Sequence, residues 1–90
     1  MNTDDIKEEY KYEQELRSLG ERIRVLREKS GFSQETLGFK ARLHRNYISK
    51  LELAQKNPSY TTLLKIAAAL SISLEELITQ NSKGNDIKGD

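Results

Sequence analysis

Residues 33–53, SQETLGFKARLHRNYISKLEL, hold two short stretches of helical apolar spacing separated by only a few residues. Ser33 stands where a helix would open, its hydroxyl able to accept an orphan backbone N–H, and Leu37 and Ala41 follow on one face. A second segment begins near His44 and places Ile48 and Leu51 on its inner side. The connection is too tight for any packing but a steep crossing, the shape of a helix-turn-helix. With Ile48 and Leu51 turned inward, the outer side of the second helix carries Arg45, Asn46, Tyr47, Ser49 and Lys50. All five can donate hydrogen bonds and two are cationic, so this face suits the edges of base pairs.

Working outward, Leu16, Leu19, Ile23 and Leu26 recur at intervals of three and four, with Arg22, Arg24, Arg27 and Lys29 off the stripe. This predicts a first helix that stops near Ser30-Gly31, with Gly31 as the left-handed terminator. Gly20 lies inside it and weakens it by about 1 kcal/mol. The preceding stretch from Asp4 to Glu15 is rich in Glu and Lys and is compatible with a helical extension or a frayed end. Beyond the pair, Ala54 to Pro58 reads as a polar connection. Pro58-Ser59 then opens a fourth helix with Leu63, Ile66, Ala67 and Leu70 on one face. Ser73-Leu-Glu-Glu76 has the spacing of a capping box and predicts a short fifth helix with Leu74, Leu77 and Ile78. The expected class is all-α. The expected layout is an acidic extension over 1–15, a domain over 16–80 and a flexible tail over 81–90, where Ile87 is the only apolar side chain.

Ninety residues bury only about 60–68% of their unfolded surface, enough for one small core and no deep catalytic cleft. The chain has no cysteine, and its one histidine, His44, builds no zinc site without converging carboxylates. No cofactor and no metal are expected. The longest apolar run falls far short of the roughly 20 residues that span a bilayer, and the acidic start lacks the features of a secretion signal, which reads as a soluble, cytoplasmic protein. The net charge of +1 divides unevenly: −4 over residues 1–15, +7 over 16–70 and −2 over 71–90. Positive charge therefore gathers on the segment holding the helical pair, as a phosphate-binding surface requires, although Lys and Arg also simply solvate helix faces.

The segments LGERIRVLREKSGFSQETL (19–37), NYISKLE (46–52) and NPSYTTLLKIAAAL (57–70) resemble the XRE-type, lambda-repressor-like helix-turn-helix transcriptional regulators. The resemblance covers roughly residues 18–78. The RNYIS and NPS elements look most like the controller proteins of restriction-modification systems and stand-alone phage-type repressors. It implies a compact five-helix domain that binds double-stranded DNA as a homodimer on an inverted repeat, with the third helix in the major groove. An enzyme is the most distant reading, because Ser, His and acidic residues exist but the sequence shows no nucleophile motif, phosphate loop or paired-carboxylate site. Arg42 and Ala54 stand where the family usually has Gly; if either position needs φ > 0, a non-Gly residue costs about 1 kcal/mol or more. Gly38 stands where Ala is usual, an exchange expected to be benign for packing.

Carried over by position, the resemblance puts Arg45, Asn46, Tyr47, Ser49 and Lys50 at the bases, with Arg45 a bidentate partner for guanine. Asn46 reads as an adenine partner or a helix cap, and Tyr47 as a thymine or phosphate contact or as half-buried packing. Ser33, Gln34, His44, Lys56, Asn57, Ser59 and Tyr60 fall on the DNA-backbone side, and an ordinary polar loop is the alternative for the last four. Glu52 has the wrong charge for that surface and is expected to pair with Arg22 or Arg27. Leu64, Leu74, Leu77 and Ile78 are expected at the dimer surface, or else to close the monomer core. RNA polymerase is a further expected contact. The rival reading is a protein-interaction module, an antitoxin or adaptor that grips a partner through Ile6, Tyr10 and Tyr12.

Overall fold

The computed structural model describes residues 12–79, which form five helices: α1 (Glu13–Lys29), α2 (Gln34–Ala41), α3 (Arg45–Glu52), α4 (Tyr60–Ala69) and α5 (Leu74–Ile78). Among the described residues there is no strand, and the all-α, five-helix expectation holds. Glu13–Glu15, placed in the acidic extension, form the first turn of α1. Ile6, Tyr10 and the 81–90 tail lie outside the described residues.

Each helix start after the first has a side-chain cap. The hydroxyls of Ser33, Ser59 and Ser73 accept the backbone N–H of Thr36, Thr62 and Glu76, and Glu76 reciprocates to the Ser73 N–H to complete the box. At α3 the cap is an imidazole: His44 Nδ1 accepts the Asn46 N–H at 3.0 Å. Asn46 thus supplies the capped amide and is not itself the cap.

The ends of α1 to α4 share one device. After α1, Gly31 (φ 76°) lets its N–H reach Glu28 O and lets Phe32 N–H reach Arg27 O. The same paired bonds, a left-handed residue flanked by 5→2 and 6→1 closures, end α2 at Arg42, α3 at Ala54 and α4 at Ser71, each with φ near 60°. Arg42 and Ala54 therefore do sit where glycine is favoured. Ser71 is a third such position that the sequence did not disclose.

The core gathers Ile23 of α1, Leu37 and Ala41 of α2, Ile48 and Leu51 of α3, Ile66 and Ala67 of α4 with Leu70, and Leu77 of α5. Every predicted stripe contributes. Leu77 has 0% exposure, so of the two readings open for it, a dimer surface or the monomer core, it takes the second. Two glycines set how closely elements approach α3. A Cβ on Gly20 would sit 2.5 Å from Leu51 O and 2.7 Å from Glu52 O, and one on Gly38 would sit 2.5 Å from Leu43 O. All of these neighbours are backbone. Alanine at 38 is therefore not benign in this chain, because the α2–α3 turn presses directly on that position.

Candidate nucleic-acid interface

Helix α3 divides cleanly. Ile48 and Leu51 are buried, whereas Arg45, Asn46 and Lys50 are exposed and Tyr47 and Ser49 are half-buried along the rim. Among the described residues, the side chains of Arg45, Asn46, Ser49 and Lys50 enter no hydrogen bond or ion pair. On α1 the arginines are committed: Arg17 to Glu13, Arg22 to the Glu76 carbonyl, Arg24 to Glu21 and Glu28, Arg27 to Glu52. The outer face of α3 therefore presents cations and amides with unused donors, and a ligand rich in acceptors would satisfy them.

Tyr47 packs against the core, and Lys56 from the following connection places its Nζ 5.9 Å from the Tyr47 ring centroid. That cation–π contact draws the 54–59 connection toward α3. Lys56, Asn57 and Tyr60 are exposed there. Ser33 and Ser59 are not spare donors: besides capping, each hydroxyl donates to the Thr hydroxyl three residues on, Thr36 and Thr62, at 3.0 Å. Sequence reasoning passed over Phe39, which is 85% exposed and shares a shallow hollow with Glu35, Leu43, His44 and Arg45 beside the start of α3. Its only sequence signal is an aromatic off the Leu37/Ala41 stripe.

Behind this face, α3 is held by an ion pair. Arg27 Nε meets Glu52 Oε2 at 2.6 Å and Nη2 meets Oε1 at 3.1 Å, while Nη1 donates to Phe32 O at 2.8 Å. Of the two partners expected for Glu52, Arg27 is the one used; Arg22 instead donates to Glu76 O and ties α1 to α5. The bond to Glu52 raises the Arg27 pKa above its ordinary value, outweighing burial. A raised pKa on a cation adds stability that is intact below the ordinary value and lost only above it, so Arg27 stays charged throughout the neutral range. Gln34 also bonds to Glu52, its Nε2 donating to Oε1 at 3.0 Å.

The profile of the helix-turn-helix family matches residues 23–77, spanning α1's second half through α5. The chain belongs to the XRE-type helix-turn-helix transcriptional regulators. Control protein C.BamHI of Bacillus amyloliquefaciens is 39% identical to this regulator over 67 residues, covering 73% of this chain and 83% of that protein. Control protein C.SmaI of Serratia marcescens is 35% identical over 68 residues, covering 76% and 81%. The solved restriction-modification controller protein C.AhdI from Aeromonas hydrophila superposes with a TM-score of 0.68 at 45% identity, covering 69% of this chain and 94% of that one. Membership carries DNA binding with it. No helix among the described residues is long and apolar enough to cross a membrane.

Proposed function

We propose that this regulator acts as a homodimer on an inverted-repeat operator and that it controls a restriction-modification system. The carrying observation is the outer face of α3, where Arg45, Asn46, Ser49 and Lys50 project unpaired donors while Ile48 and Leu51 anchor the opposite side. Arg45 reads a guanine, Asn46 an adenine, and Ser49, Lys50 and the rim of Tyr47 complete the base contacts. Gln34, His44, Lys56, Asn57 and Tyr60 meet the DNA backbone. Ser33 and Ser59 contribute there by capping the helices that open beside it.

One such domain spans too few base pairs to single out a site in a genome, so specificity calls for two copies on half-sites about one helical turn apart. The exposed apolar side chains of Leu64 and Ile78, with half-buried Leu74, support a contact at the α4–α5 end. The control proteins C.BamHI and C.SmaI support the restriction-modification setting. A dimer at a promoter would either block RNA polymerase or touch it. Selection of bound duplexes from a random pool tests the reading: recovery of an inverted repeat is expected, and recovery of no preferred duplex would overturn it.

A further inference from the structure

We infer that Glu52 is a positioning residue for DNA binding that acts through Gln34, a role that rests on the proposed contact of Gln34 with the DNA backbone.

Glu52 ends the recognition helix with only 5% of its side chain exposed, and its two oxygens accept three hydrogen bonds. Two come from Arg27 of α1 and one from Gln34, the first residue of α2. Arg27 also grips the carbonyl of Phe32, two residues before Gln34. One guanidinium and one carboxylate thus tie together the end of α3, the α1–α2 connection and the opening of α2.

The consequence for Gln34 follows from amide geometry. Its carbonyl oxygen cannot take the place of its NH2 against Glu52, because it would face a carboxylate oxygen across a hydrogen-bond distance. The amide is therefore held in one of its two orientations. One N–H is spent on Glu52, which leaves the second for another acceptor at the opening of α2, where Ser33 caps only the Thr36 N–H. A phosphate arriving there meets a donor already set in place, and Arg27 offsets the carboxylate charge that would otherwise repel it. This gives an acidic residue next to a DNA surface a role besides stability.

A double-mutant cycle separates positioning from mere stability. Affinity is measured for a duplex recovered by selection, using Gln34→Ala, Glu52→Gln and the double variant. In the parent chain Gln34→Ala should weaken binding on the order of tenfold, the loss of one hydrogen bond to a charged group. In the Glu52→Gln background the same change should cost less than about threefold, since the amide is no longer held. Equal losses in both backgrounds would overturn the proposal. No loss in the parent chain would overturn it too, by showing that Gln34 is not a backbone contact. The parent protein alone gives a second measurement should Glu52→Gln fail to fold: side-chain amide exchange followed by NMR. One Gln34 proton should exchange more slowly than those of the exposed Gln14 and Gln55, and equal rates for all three residues would refute the latch.

Discussion

Ala54 and Ser71 hold left-handed backbone with φ of 61° and 59°, a conformation glycine adopts freely and a Cβ disfavours by about 1–2 kcal/mol. Part of that gain on replacement returns as unfolded-chain entropy, so Ala54→Gly and Ser71→Gly should each stabilise the domain by about 1 kcal/mol and raise Tm by roughly 4–8 °C. Thermal unfolding checks this, and an unchanged or lower Tm for both would show that the helix ends are not strained. Arg42 has the same backbone but lies in the turn of the helix pair, so Arg42→Gly tests stability and DNA affinity together. His44 poses the opposite problem, a residue whose side chain does local work. Its imidazole nitrogen satisfies the first turn of α3, so His44→Ala should cost about 1 kcal/mol while His44→Asn, a strong cap by its own amide oxygen, should recover most of it. Denaturant titration of the two variants decides it, and equal stabilities would mean that the cap is idle.

Helix spacing and serine caps were legible in the chain because both are local. The stripes Leu19-Ile23-Leu26, Leu37-Ala41, Ile48-Leu51 and Ile66-Ala67-Leu70 all face the core, and Ser33, Ser59 and Ser73 all cap. What escaped depends on a second element. Nothing in the neighbours of Ser71 announces φ > 0. Glu52 could have paired with either of two arginines on α1, and only the crossing of α1 over α3 chooses Arg27. Gly20 is the sharpest case. Read along α1 it is a weak helix former that alanine should improve by about 1 kcal/mol. Read across the interface it is the point where α1 rests on the terminal carbonyls of α3, and a methyl group has nowhere to go. Gly20→Ala should therefore destabilise the fold, by about 1–3 kcal/mol net, and should weaken DNA binding because α3 must shift. Gly38→Ala should behave alike through the α2–α3 turn. Urea unfolding gives the sign directly, and a stabilised Gly20→Ala would mean that the helices do not meet so closely.

At the scale of the molecule, α5 carries two neighbouring apolar residues with opposite fates. Leu77 is fully enclosed, whereas the Ile78 side chain, next in sequence, is half exposed beside Leu16 and Leu19 of α1. Aspartate at 77 would place a carboxylate in the core with no partner, a change expected to cost several kcal/mol, comparable to the whole stability of so small a domain. Leu77→Asp should thus abolish the cooperative unfolding transition and leave no folded monomer to study. Ile78→Asp should keep the fold, since its side chain already meets water. If the α4–α5 end joins two protomers, Ile78→Asp and Leu64→Asp will halve the mass in sedimentation equilibrium and weaken operator binding steeply. Binding to half-site DNA will change little, because the outer face of α3 is untouched. The salt dependence supplies an independent check: with about six phosphates neutralised, the parent dimer should show a slope near −5 in log affinity against log salt. A monomeric variant should show about half that slope. If Ile78→Asp and Leu64→Asp leave mass, affinity and slope unaltered, the protomers meet through some other surface and the α4–α5 end has no part in dimerisation.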